Sequence, residues 1–307
     1  MQARKPIVAG QFYPAQRSNC IDHIKQCLQG KEIPQSRSGP SRDGLAGMAK
    51  PLLPETIVAG IVPHAGWTFS GDLAAMVFSA IKNRHKKVDT FVIFGAAHGY
   101  FGESPAVYDE GTWMTPLGEV GVDEKLAQAV LSTGAAVNDS SAHSFEHSIE
   151  VQVPFIQYLF AGAKILPIIV PPREQAVPLG TEVGDIISRQ QNQKIVCIGS
   201  TDLTHYGPRY GFVPMGTGSE ALAWASTVND QQFIDLALKL RARELLASAA
   251  ENCNACGPGA AAAAVAAAKQ LGKTKGLLLA HTNSNDVMLR EMGTTSLESV
   301  GYAAIVF

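Results

Sequence analysis

The chain has 307 residues, 46% of them hydrophobic and 17% charged, with 25 basic against 27 acidic side chains and a formal net charge of -2. A pI near 6.4, a mean hydropathy of +0.06 and the lack of any Lys/Arg cluster exclude the electrostatic footprint of a nucleic-acid or anionic-membrane binder. The apolar stretch before Gly10 and Gln11 is too short for a signal sequence, and no run approaches the roughly 18 apolar residues of a membrane span, so a cytoplasmic protein is expected. Five cysteines (Cys20, Cys27, Cys197, Cys253, Cys256) are an odd number without a disulfide framework, which agrees with that compartment.

In chain order, residues 37–54 (RSGPSRDGLAGMAKPLLP) read as a surface loop excursion within a single domain spanning 1–307. The run Ile57 to Val62 is the first predicted strand, and Leu73, Met76, Val77 and Ile81 follow at helical spacing behind a predicted Ser70 N-cap. Thr90 to Phe94, Ile165 to Val170 and Lys194 to Gly199 are the next strands. A helix is expected after Asp230, carrying Phe233, Leu236, Ala237 and Leu240. The alanine tract 260–268 reads as a buried helix starting near Pro258, and Leu277 to Ala280 and Tyr302 to Phe307 close the set. Strands alternating with helices predict an α/β fold whose central, largely parallel or mixed sheet is flanked by helices.

The chemistry-bearing residues fall at strand ends: His64 in VPHAGW, His98 in FGAAHGY, Asp202 and His205 in GSTDLTHYG, and His281. In open α/β sheets the ligand crevice lies beyond the carboxyl ends of the strands, so these groups are expected to converge there. Neutral imidazole is the commonest metal ligand, and His64 and His98 form the candidate pair. Cys256 is the candidate third ligand, because a helix N-terminus at Pro258 favours thiolate; an inert buried thiol is the alternative. Cys253 lacks that support and is expected to be structural. His143-Ser-Phe-Glu-His147 fits H-x-x-E-H, in which two histidines one helical turn apart hold zinc. The continuation to Pro154 also fits a packed amphipathic helix stopped at proline, which favours second-shell or structural roles for Glu146, His147 and Glu150. No G-x-G-x-x-G, Walker loop or G-x-S-x-G supports a nucleotide cofactor or α/β-hydrolase chemistry.

The segments RKPIVAGQFYP, VPHAGWTFSG, FGAAHGY, TWMTPLGEVGVD, FEHSIEVQVPF, GSTDLTHYGPRYG, ACG and VGYAAIVF, in this order over nearly the whole chain, resemble the Memo family, whose prokaryotic members are called AmmeMemoRadiSam system protein B. The resemblance implies a fold similar to class III extradiol ring-cleaving dioxygenases, which hold non-heme iron with two histidines and a glutamate. It implies that His64 and His98 match the two histidine ligands, that Cys256 stands at the third, and that His205 and Asp202 face the crevice as acid/base and orienting groups. Thiolate in place of carboxylate admits copper or zinc beside iron. The family name further implies radical-SAM and AMMECR1-type protein partners, so a non-catalytic peptide- or protein-binding module stands beside a metal-dependent dioxygenase or oxidoreductase as an expectation. Three departures from the family pattern, a 37–54 excursion longer than usual and Trp67 and His281 where tyrosines are usual, bear on substrate or peptide recognition.

Overall fold

The computed structural model describes residues 3–30, 52–190 and 192–307. The strands in chain order are β1 (Ala3–Arg4), β2 (Ala59–Val62), β3 (Thr90–Gly95), β4 (Ala106–Val107), β5 (Thr112–Thr115), β6 (Gly118–Gly121), β7 (Val137–Asn138), β8 (Lys164–Ile169), β9 (Ile195–Ser200), β10 (His205–Tyr206), β11 (Leu277–Asn283) and β12 (Ser299–Val306). The helices are α1 (Arg17–Leu28), α2 (Trp67–Arg84), α3 (Glu124–Leu131), α4 (Val153–Leu159), α5 (Ala176–Arg189), α6 (Ser219–Trp224), α7 (Asp230–Leu238), α8 (Ala242–Asn252), α9 (Pro258–Gln270) and α10 (Ser284–Met292). All six predicted strands and the three predicted helices are present.

The architecture is α/β, with a mixed sheet flanked by helices. β2, β9, β3 and β8 run parallel side by side and are almost wholly buried, as their continuous apolar sequences require. β12 joins β2 antiparallel, β11 lies outside β12, and β4 adds antiparallel to β8. A smaller sheet holds β1, β5 and β6. One apolar core on the α1, α2 and α4 side centres on Trp67, Phe78, Phe91 and Phe155. The other is built from α5, α7, α8 and α9 around the alanine tract.

The alanine helix shows why small residues recur here. A Cβ on Gly180 of α5 would meet the Ala263 carbonyl oxygen at 2.2 Å, and one on Gly199 of β9 would meet that of Ala260 at 2.8 Å. Helix and sheet therefore approach to backbone contact, and all residues from Pro258 to Ala268 are buried. This close approach fixes the start of α9 against the end of β9, next to Asp202.

Several local expectations are corrected. α2 begins at Trp67 with Gly66 as its cap, while the Ser70 hydroxyl donates to the Ala65 carbonyl at 2.7 Å instead of capping. Pro154 starts α4 rather than stopping a helix, because its missing N–H costs nothing in a first turn. The chain enters α7 through a π turn at Ala225–Asn229, so Asp230 is a buried continuation and not a free start. Of the predicted excursion, residues 37–51 lie outside the described residues; beyond them Leu53 is buried and its carbonyl accepts from Arg84 Nη2 at 2.8 Å. Among the described residues no helix is long and apolar enough to cross a membrane.

Candidate metal centre

An open cavity of about 640 Å³ lies beyond the carboxyl ends of the parallel strands, and His64, His98, His147, Asp202 and His205 all line it. Each arrives by a different route. His64 follows β2 by two residues and leads into α2; His98 follows β3; Asp202 and His205 follow β9; His147 comes from the irregular segment between two 3-10 turns at Ser140–His143 and Glu150–Gln152. The crossover loops of parallel strands bring these distant positions to one edge.

His64 is the centre of the group. Its ring sits 5.1 Å from that of His98 and 5.4 Å from that of His147, and the His98 and His147 rings stack at 4.9 Å with only 12° between planes. Donor atoms of His64, His98 and His147 lie within 4.8 Å of one another, as do those of His64, Asp202 and Cys256. His64 belongs to both sets, whereas His98 and Cys256 fall in different ones. The side of each ring facing away from the cavity is already held: Nδ1 of His64 meets Ser200 Oγ at 3.1 Å, and Nδ1 of His98 meets Glu146 Oε1 at 3.0 Å. Both Nε2 atoms are left for the crevice, with that of His64 3.1 Å from the Cys256 sulfur.

Environment sorts the charges. Burial, reinforced by the neighbouring His98 and His147, holds His64 well below the usual imidazole range, so it is a neutral donor. Burial lowers His98 too, but the hydrogen bond and charge of Glu146 outweigh it and raise the ring. Glu146 is itself depressed: burial opposes its ionisation, yet His98 and the backbone N–H groups of Ser148 and His98 prevail. Asp202 behaves oppositely. Burial pushes its carboxyl up to about 7 although it accepts from the His64 N–H at 2.7 Å. His205, 4.0 Å from Asp202 and stacked on Tyr210 at 5.1 Å, is pushed down to about 4 by burial and then by His98.

The Cys256 expectation is half corrected. The sulfur does stand at the helix start, accepting from Asp202 N–H at 3.3 Å, but burial and then the Asp202 charge push the thiol up. Desolvation outweighs a terminal dipole worth about 1 kcal/mol, so without a cation beside it this cysteine is a thiol. Cys253, expected to be structural, is exposed at the left-handed end of α8.

Other predicted groups lie elsewhere. His281 sits inside β11 and pairs with buried Asp230 at 3.0 Å, and neither lines the cavity. His143 is fully buried, bonded to the Ala106 carbonyl at 3.1 Å and packed edge-on against Trp113, and burial pushes it down to about 3. The H-x-x-E-H segment forms no α-helix: His143 ends a 3-10 turn and points into the core while His147 lines the cavity, so the two histidines do not share a face to hold zinc. Glu146 bonds the backbone and ring of His98 from behind, at 2.9 and 3.0 Å. His147 was underrated: it lies in the ring cluster, a placement the segment's helical reading concealed. Trp67 is buried against Tyr13 and Phe155, away from the cavity.

The profile of the Memo-like protein family matches residues 4–306. A MEMO1 family protein of Methanosarcina barkeri is 34% identical over 308 residues, covering 99% of either chain. Those of Pyrobaculum aerophilum, 34% identical across 100% of this chain and 99% of its own, and of Thermococcus kodakarensis, 36% identical across 99% of each, are similarly alike. A match over nearly the whole length, through every strand that delivers a crevice residue, means that this chain belongs to the Memo family.

Proposed function

We propose that the crevice is a metal centre of the dioxygenase type, with His64, His98 and Cys256 as ligands and His147 as a further donor. The observation that carries this reading is that His64 belongs to two close donor sets, one of three imidazoles and one with a thiol and a carboxylate, with the His64 ring held from behind by Ser200 and the His98 ring by Glu146. Such back-bonded imidazoles are how proteins orient metal-binding rings. The donor set fits an ion: His64 is neutral, and the raised thiol of Cys256 would be released as thiolate by a cation in contact. Mixed imidazole and thiolate ligation suits iron, copper or zinc.

Iron or copper would supply redox and oxygen chemistry, and zinc Lewis acidity. The chain's own contribution is to hold protons at two places. Asp202, with its carboxyl near neutrality, retains or releases one beside the His64 backbone, and His205, neutral at pH 7, offers an acceptor at the cavity wall. Phe12, Phe69, Met288 and Tyr302 give that wall an apolar surface that limits water. The test is anaerobic purification with elemental analysis of wild type, His64→Ala and Cys256→Ser. About one iron or copper per chain, lost in both variants, is expected; equal metal in all three would overturn the ligand set.

A second reading, a recognition pocket for protein partners of the radical-SAM and AMMECR1 type in the cytoplasm, is favoured by two exposed aromatics. Phe101 is 93% and Phe145 85% exposed, on the loops that also carry His98 and His147. Partner binding that survives chelation but not the double change Phe101→Ser, Phe145→Ser supports it; binding lost on chelation alone counts against it.

A further inference from the structure

The opening motif of the chain, residues 4–13, touches the crevice only through Phe12, yet Arg4 inside it is 7% exposed and turns all three guanidinium nitrogens to one distant segment, with Nη1 also donating to the Lys5 carbonyl at 3.4 Å. Nε donates to the His143 carbonyl at 2.9 Å, Nη2 to the Glu146 carbonyl at 2.7 Å, and Nη1 to Glu150 Oε2 at 2.8 Å. The group lies 4.0 Å over the Trp113 ring, which fixes its plane. Glu150, 1% exposed, also accepts from the backbone N–H of Ile7 and Val8 and from the Tyr13 hydroxyl, so the two segments are joined at both ends of the motif.

The segment clamped in this way has little regular structure to hold it. Between the two 3-10 turns the Glu146 N–H reaches the His143 carbonyl only at 3.5 Å. That same stretch carries the carboxylate bonded to both His98 Nδ1 and His98 N–H, and the ring stacked on His98. Phe12, at the far end of the motif, meets the His147 ring edge-on at 4.9 Å.

We propose that Arg4 is a positioning residue of the crevice: its planar three-point grip on residues 143–150 sets Glu146 against His98 and His147 beside it. A lysine is a single point donor and cannot reproduce the fork. The affinity arm of the test rests on the metal-centre reading; the spectroscopic arm does not.

The experiment compares wild type with Arg4→Lys, which keeps a cation opposite Glu150. Folding is followed by circular dichroism, cobalt(II) binding by titration, and the hydrogen-bonded His98 Nδ1–H by proton NMR of the metal-free protein, assigned from its loss in His98→Gln. Arg4→Lys is expected to fold, to weaken cobalt by about tenfold or more, as outer-shell changes do, and to shift or broaden the His98 resonance. A folded variant with unchanged cobalt affinity and an unchanged resonance would overturn the proposal. If wild type binds no cobalt, the metal reading fails while the resonance still decides the role of Arg4. Should Arg4→Lys not fold, Glu150→Gln, which loosens the same clamp from its other end, carries the measurement: a shifted resonance supports the proposal and an unshifted one overturns it.

Discussion

Glu146 and Asp202 are both carboxylates beside a candidate ligand histidine, 3% and 4% exposed, and they are driven in opposite directions. Glu146 collects two bonds from His98 and one from the Ser148 N–H and stays ionised. Asp202 accepts from the backbone N–H groups of His64 and Ala65, faces His205 at 4.0 Å, whose own ring is pushed down to about 4, and is pushed up to about 7 by burial. The two carboxylates are almost equally hidden from solvent; the difference is the side-chain hydrogen bond and charge of His98, which only Glu146 receives in full. The crevice therefore has an anionic wall, where the Glu146 carboxylate orients His98, and a neutral wall, where a thiol, a near-neutral carboxyl and an uncharged imidazole lie together.

The largest expected effect tests whether the walls share one centre. His64→Ala removes the donor common to both sets and is expected to abolish cobalt binding, whereas His147→Ala, which leaves His64, His98 and Cys256, weakens it without abolishing it. Equal losses would mean that the ring cluster alone is the site. Next, Glu146→Gln is expected to weaken metal by about 10- to 100-fold and return His98 toward lower pKa, read by metal titration and by NMR titration of the ring. An unchanged His98 would remove the distinction between the walls.

Asp202 sharpens the contrast through pH. Between about 3.8 and about 7 the folded, metal-free protein keeps a proton that the unfolded chain has released. That contribution to stability is full below the unfolded value and is lost as pH rises through the folded one, with a slope of up to about 1.4 kcal/mol per pH unit. His205 acts with the opposite sign: its neutral folded form gives stability present above 6.5 and lost as pH falls toward about 4. The two slopes oppose each other over the same window. Urea unfolding from pH 4.5 to 6.5 is therefore expected to show stability rising more steeply with pH in Asp202→Asn, and less steeply or falling in His205→Gln, each relative to wild type. Parallel profiles for all three would break the assignment. The smallest effect is that of Ser200→Ala, which removes buried bonds to His64 Nδ1, to the Ser148 carbonyl and from Gln152 Nε2, at about 1–3 kcal/mol of stability by chemical denaturation.

Much of the fold was legible because buried parallel strands write themselves as unbroken apolar runs, and 57–62, 90–94, 165–170 and 194–199 are such runs. The helix at 258–270 was legible from alanine propensity and Pro258. The short strands at 106–107, 137–138 and 205–206 were not, since two residues carry no period. Among site residues, His64, His98, Asp202 and His205 were readable from their place after strands. His281 misled because β11 runs on three residues beyond its apolar stretch, which keeps the ring within the strand, against Asp230.

What the sequence alone determined is the set of chemical groups at the strand ends and the family they signal, because apolar runs and short motifs are local properties. Which imidazoles face one another, that His147 joins them, and that one carboxylate is held well below the usual range while its counterpart is pushed up to about 7 were decided by tertiary structure. The reason is physical: burial, hydrogen-bond donors and ring contacts come from segments far apart in the chain, such as His98 with Glu146, Arg4 with Glu150 and His64 with Cys256, and no local pattern encodes them.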